Sequence, residues 1–262
     1  MSAGPRFSGN RFYYDLIGCH SPCGDDFGNG ERYSVPVPAL MAPYEVLMNF
    51  DFLFIVTYGR SGSTLLQGIV NTIPGVLIRG ENAGALHGLI KSWEAVKIAQ
   101  DLFSADSEKP TSPWFGAAGM DLDRFGHDLA ASFIRNILKP PPDIRVTGFK
   151  EIRYHLTAGE LAFELEFMRR FFPRCAFLIN TRGLEATIAS NKKAGHDVSK
   201  EDLTKADQLL RDIAESSTRD IFHVHYDDYR YDPDRLRPLF DFLGVNFDRV
   251  TLQNVFDTKH SS

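Results

Sequence analysis

Cysteine is scarce in this chain: Cys19, Cys23 and Cys175 are the only three among 262 residues. An odd number of thiols closes no disulfide framework and fits a reducing compartment. Cys19-His-Ser-Pro-Cys23 offers half of a zinc site. A structural zinc takes four ligands, usually as two separated pairs, and no second cysteine pair follows, so free thiols and no metal are expected. Long apolar runs are missing as well. A membrane helix needs about 20 apolar residues, whereas the longest run, Phe52–Val56, has the length of a strand. The opening Met-Ser-Ala-Gly-Pro-Arg lacks the apolar stretch of a signal peptide, which makes the cytoplasm the expected location. Nor is there a cationic excess. Lys and Arg number 29 against 34 Asp and Glu, a net charge of −5. Such a balance argues against nucleic-acid binding, which needs a basic footprint, but it allows a local pocket for an anion.

What the chain does have is 43% hydrophobic residues, enough for an ordinary core without disulfide staples. Residues 1–50 are rich in Gly, Pro, Tyr and Asp without helical periodicity. They read as an irregular extension that packs an aromatic cluster of Phe12, Tyr13 and Tyr14 onto a main domain of residues 51–262. Strands are expected at 52–58, 75–78, 145–149, 176–180 and 222–226, from their β-branched and aromatic content. Helices are expected from 65, then at 83–99, 122–138, 160–172, 184–193, 204–219 and 233–243. Pro140-Pro-Pro142 stops one helix and Gly244 another, and residues 104–119 read as a loop. This alternation predicts a single α/β domain built on an open, mostly parallel sheet flanked by helices. Ligands of such sheets bind outside the carboxyl ends of the strands.

The sharpest local signal is the buried strand 52–58 running into Gly59-Arg-Ser-Gly-Ser-Thr64 and then a helix. Converging backbone N–H groups at a helix start form an anion site, and Arg60 adds a fixed cation. Walker A does not fit this phosphate-loop-like turn, because no lysine precedes the hydroxyl pair. Tyr58-Gly-Arg-Ser-Gly-Ser-Thr-Leu-Leu66 resembles the 5′-phosphosulfate loop of sulfotransferases that use 3′-phosphoadenosine 5′-phosphosulfate (PAPS), in its bacterial and carbohydrate-type form. Phe177-Leu-Ile-Asn-Thr-Arg182, with Ser190 eight residues later, resembles that family's second hallmark. Val224-His-Tyr-Asp-Asp-Tyr229, Phe240-Asp-Phe-Leu-Gly244 and Asp257-Thr-Lys-His-Ser261 resemble its late strand, turn, helix and closing segment. The resemblance implies PAPS as co-substrate, with Arg60, Ser61, Gly62, Ser63 and Thr64 around the phosphosulfate. It also implies that Arg182 and Ser190 hold the 3′-phosphate, which suits the forked donors of a guanidinium. The loop has Arg60 where many members carry lysine, and Leu65 where others carry tryptophan. Both differences point away from the animal phenol and steroid branch.

Sulfuryl transfer needs an in-line acceptor, a base and charge stabilisation on the leaving phosphate, the last suited to Arg60. Glu81, in Ile78-Arg-Gly-Glu-Asn82, is the first candidate base, because carbohydrate-type members place an acid there; its alternative is a helix-start acid. Glu151 is the second, near the place of the phenol branch's histidine, and otherwise a strand-end ion pair. His155 is the third. Lys150 resembles a lysine kept beside the reacting groups. His223 and His225 share a strand face by period 2, which imitates a metal pair, but without a third ligand they read as packing or surface histidines. Trp93 and Trp114 flank 100–120, where Trp114 either touches the acceptor or anchors the loop. The acceptor implied is a hydroxyl of a carbohydrate or glycolipid. The alternatives are a small-molecule kinase or other phosphate-loop-like nucleotide enzyme, and a non-catalytic nucleotide-binding relative.

Overall fold

Five consecutive buried residues, Phe52–Val56, form strand β1 at the centre of the sheet. In a strand buried on both faces, successive side chains serve opposite cores. Phe52, Phe54 and Val56 face one hydrophobic cluster, and Leu53 and Ile55 face the other. The structure, a computed structural model, describes residues 49–154, 160–216 and 218–258. The expected aromatic cluster at 12–14, Cys19 and Cys23, His155 and the last residues of the closing segment lie outside them. No helix among the described residues is long and apolar enough to cross a membrane.

After β1 come α1 (Ser63–Val70), β2 (Val76–Arg79), α2 (Ala85–Phe103) and α3 (Leu122–Phe133). β3 (Val146–Glu151), α4 (Leu161–Phe171), β4 (Cys175–Thr181) and α5 (Leu184–Lys193) follow. The chain continues through α6 (Lys200–Glu215), β5 (Ile221–His225), the single turn α7 (Tyr226–Tyr229), α8 (Arg237–Leu243) and α9 (Arg249–Asp257). The strand order is β2-β3-β1-β4-β5 and every pairing is parallel. The chain leaves β1 toward one edge and later returns to its other side, so β1 and β4 bound the point where the winding reverses. Their carboxyl ends are the expected place for a ligand.

Helices cover both faces. Trp93, Phe133, Leu165, Phe171 and Leu210 pack with Phe54 and Phe177 on one side. Leu66, Ile69, Leu239, Phe240 and Leu252 pack with Ile55 and Leu178 on the other. Phe54 meets Phe149 and Phe172 edge-on, at 5.2 and 5.4 Å between centroids. Truncating such a ring costs about 3–5 kcal/mol. β3 can lie against β1 only because residue 148 is glycine: a Cβ there would come within 1.7 Å of the Leu53 carbonyl oxygen. Cys175 is a buried free thiol whose pKa burial pushes up to about 12.

Several boundaries differ from those the pattern suggests. α2 starts at 85 rather than 83, because Ala83 (φ 58°) and Gly84 (φ 75°) form a left-handed turn before it. The stretch expected as helix to 138 is α-helical to Phe133 and closes with a π turn over Ile134–Leu138. α6 begins four residues earlier than expected, where Ser199 caps it by accepting from the Asp202 N–H. The 233–243 helix divides into a 3-10 turn, Pro233–Leu236, and α8. Short 3-10 turns also interrupt the 104–119 loop, and α9 was not anticipated.

Candidate active site

The loop from β1 to α1 is fixed from beneath by buried polar groups of β4. Thr57 Oγ1 donates to the Asn180 carbonyl at 2.6 Å and lies 2.7 Å from Ser61 Oγ. Asn180 Nδ2 donates to the Ser61 carbonyl at 3.1 Å. Ser61 is therefore fully buried and its hydroxyl is engaged inside the fold. Arg60, Gly62, Ser63 and Thr64 line the cleft above it. Gly62 sits at φ 81°, and a Cβ there would strike the Tyr226 ring at 2.1 Å, so the loop can rest on that ring only as glycine. Arg60 holds φ 64°, a left-handed conformation that costs a non-glycine residue about 1–2 kcal/mol. The loop holds it against that cost.

Arg60, Arg182 and Ser190 come together, as the two sequence motifs suggested. Arg60 Nε donates to Ser190 Oγ at 3.0 Å, and Arg182 Nη1 donates to the Arg60 carbonyl at 3.0 Å. The Arg182 guanidinium lies over the Tyr226 ring, 4.9 Å from its centroid, and its buried Nε has no hydrogen-bond partner among the described residues. Arg182 is placed by its backbone: its N–H donates to Tyr58 Oη at 3.0 Å, and that hydroxyl donates to Asp207 at 2.6 Å. Burial first, then the bond to Asp207, pushes the Tyr58 phenol far above its ordinary pKa, so it stays a neutral donor. Asp227 accepts from the Gly183 N–H at the start of α5 and pairs with Arg230 at 3.2 Å.

Glu81 and Lys150 also meet in the cleft. Lys150 Nζ donates to Glu81 Oε1 at 2.6 Å, and Arg153 Nη1 lies 3.4 Å from Oε2. Glu151 faces elsewhere. It is buried, and its two oxygens accept from the backbone N–H groups of Asn82, Gly84, Ile152 and Arg153 and from the Arg153 guanidinium. Burial opposes its charge, but the N–H groups of Ile152 and Gly84 together with Arg153 outweigh it and hold the pKa below the usual carboxylate value. A carboxylate so satisfied is a poor base and a good clamp: it fixes the left-handed turn at Ala83 and Gly84 that follows Glu81.

His223 and His225 both turn to Thr181 Oγ1, at 2.8 and 2.9 Å. Trp114 stacks on Phe103 at 3.9 Å, the anchoring alternative. Trp93 is buried and donates to the Leu122 carbonyl. Three cleft residues had not been singled out. Arg153 ends the clamp, Tyr226 carries the ring beneath Gly62, and Arg230 has a buried Nε without a partner among the described residues. A basic residue following the aromatic turn after β5 was the available signal for Arg230.

The cleft encloses about 790 Å³. Among the described residues its wall contains five Lys or Arg side chains (Arg60, Lys150, Arg153, Arg182, Arg230) and one carboxylate, Glu81. In a chain of net charge −5, that concentration forms a site for a multiply charged anion, with the N-terminus of α1 adding its dipole.

The sulfotransferase family profile matches residues 53–249. No curated protein matches the sequence. Among solved structures, the sulfotransferase domain of the Synechococcus PCC 7002 olefin synthase aligns with a TM-score of 0.52 and 19% identity, over 81% of this chain and 79% of that one. The sulfotransferase domain from the curacin biosynthetic pathway aligns at 0.49 and 18%, over 81% and 79%. A mouse sulfotransferase complexed with PAP aligns at 0.42 and 12%, over 78% and 61%. At such identities the first likeness speaks to the fold, an open parallel sheet with helices on both faces.

Proposed function

This chain belongs to the sulfotransferase family, and on that premise we propose that it moves a sulfuryl group from PAPS to the hydroxyl of an acceptor. The observation that carries this reading is the convergence of Arg60, Arg182 and Ser190 in a cleft with a fivefold excess of cationic side chains over carboxylates. The buried Nε atoms of Arg182 and Arg230, without a partner among the described residues, support it, since such donors are costly unless an anion completes them.

In this reading the 63–64 end of the loop and the start of α1 receive the 5′-phosphosulfate, and Arg182, Ser190 and Arg230 receive the 3′-phosphate. The acceptor oxygen attacks sulfur: an O–S bond forms while the bond from sulfur to the 5′-phosphate oxygen breaks. The electron pair stays on the departing phosphate, where Arg60 and Lys150 offset the charge. The acceptor's proton passes to Glu81, which Lys150 and Arg153 orient. The products are a sulfate ester and 3′-phosphoadenosine 5′-phosphate (PAP). The branch resemblance points to a carbohydrate or glycolipid as the acceptor, and the chemistry asks for no metal.

Melting curves with PAP and with ATP–Mg²⁺ test the donor reading. PAP is expected to raise the melting temperature and ATP–Mg²⁺ to leave it unchanged. Stabilisation by ATP–Mg²⁺ alone would favour the kinase alternative. PAP binding without sulfate transfer to any acceptor in a broad screen would favour a non-catalytic relative.

A further inference from the structure

A second cavity, of about 300 Å³, lies beside the cleft and shares Arg153 with it. Ala83, Leu86, Phe149 and Tyr154 supply apolar wall, and Asn82, the neighbour of Glu81, also lines it. The charged groups in this wall are already engaged with one another. Glu151 is held by four backbone N–H groups and Arg153. Glu164, almost fully buried, sits 3.0 Å from His87 Nδ1. Asn82 Oδ1 accepts from the Ala85 N–H at 2.8 Å, whereas its buried Nδ2 has no partner among the described residues.

We infer that this cavity holds the body of the acceptor, and that the acceptor is a compact, mostly apolar alcohol rather than a sugar. The inference rests on the sulfuryl-transfer reading and sets an apolar alcohol in place of the carbohydrate acceptor that the branch resemblance implies. A sugar would lose water from several hydroxyls and find carboxylates and a guanidinium that already have partners, at a cost for each unmatched group. A fused ring or short chain gains from the walls of Leu86, Phe149 and Tyr154. Its single hydroxyl is matched by Asn82 Nδ2, one residue from Glu81, a donor in this wall without a partner among the described residues. The cavity's size suits one small body and not an oligosaccharide.

The probe is 2-naphthaleneethanol, with methyl β-D-glucopyranoside as the sugar, titrated into the full chain with and without saturating PAP. Three proteins are compared: the parent, Leu86→Phe, which fills the cavity, and Asn82→Asp, which keeps the cap on Ala85 but lacks the donor. The naphthalene alcohol should bind the parent saturably and more tightly than the glucoside. Leu86→Phe should weaken it at least about tenfold and Asn82→Asp about threefold to tenfold, both with unchanged PAP affinity. As a second readout, amide shifts in the parent protein should centre on 82–87 and 149–154. Saturable binding with shifts confined there supports the inference even if Leu86→Phe does not fold. Tighter binding of the glucoside, absence of saturable binding by the alcohol, or undiminished binding in a folded Leu86→Phe overturns it. Failure of PAP to bind would instead strike the donor reading, leaving the alcohol's dependence on Leu86 to judge the cavity.

Discussion

Lys150 Nζ donates to Glu81 Oε1 at 2.6 Å, joining the end of β3 to the turn after β2 across 69 residues of chain. The two strands are parallel neighbours in register, Arg79 opposite Phe149, so Lys150 at the end of β3 and Glu81 just past the end of β2 emerge on the same edge. The pair thus follows from topology, and it sits where the phosphate loop also ends.

If Glu81 takes the acceptor's proton, Glu81→Gln lowers kcat by about 10²–10⁴, the usual worth of general-base catalysis, while PAP affinity stays near the parent value. Glu81→Asp recovers little, because the shorter side chain withdraws from both Lys150 and the acceptor. Turnover of a confirmed acceptor, measured beside a melting curve, separates this from a loss of folding. Unchanged turnover in Glu81→Gln moves the base elsewhere.

Glu151 predicts a pH signature in stability. Its folded pKa is depressed, so between the folded and unfolded values the unfolded chain binds the extra proton and stability rises with pH. The contribution is complete above the unfolded carboxylate value of about 4.3 and is lost as pH falls through the folded value. Glu151→Gln should be less stable than the parent by about 1–3 kcal/mol at neutral pH, with the gap holding from about pH 6 to about 4.3 and closing as the pH falls from there toward about 3. Denaturant titrations of both proteins across that range check it, and a gap that stays constant with pH would remove the clamp from the account.

Gly62→Ala meets both the φ of 81° and the Tyr226 ring at 2.1 Å. The strain of a left-handed alanine is about 1–2 kcal/mol, and the ring contact adds to it, so the loop must shift. Stability should fall by more than about 2 kcal/mol and PAP binding should weaken sharply. Calorimetric melting and a PAP titration on the same preparation read both effects.

Arg230→Met keeps an aliphatic stem but removes the guanidinium that lies over Tyr226 and Tyr231, with its Nε that has no partner among the described residues. PAP affinity should drop by about 1.5–3 kcal/mol, the worth of a charge-assisted hydrogen bond, whereas Ser190→Ala should cost about 1 kcal/mol. Arg230→Lys should restore only part of the loss, because an ammonium does not reproduce the planar donors. Equal affinity in Arg230→Met and parent would take this residue out of the nucleotide site.

The parts of the site carried by continuous signals were legible. The apolar run 52–56, the glycine-hydroxyl turn behind it and Arg182 at the end of another buried run are local patterns, and parallel packing brings them to one edge. For Ser61 the motif records a residue type and not a direction; its hydroxyl lies against Thr57 Oγ1 and its carbonyl accepts from Asn180 Nδ2. Glu151 was legible as a strand-end carboxylate but not as a clamp. Its partners are backbone N–H groups of a turn whose left-handed Ala83 leaves no mark in hydrophobic periodicity. Arg230 and Tyr226 stayed hidden because α7 is a single turn, too short to carry a period.

The most direct test of the account is isothermal titration of PAP and of adenosine 5′-phosphate, which lacks the 3′-phosphate, into the parent protein and Arg182→Ala. The parent should prefer PAP, and Arg182→Ala should lose about 2–4 kcal/mol of PAP affinity, because a desolvated phosphate gives up a charged, forked partner. Affinity for adenosine 5′-phosphate should barely change, so the preference narrows. Equal binding of the two nucleotides by the parent, or an undiminished preference in Arg182→Ala, would contradict it.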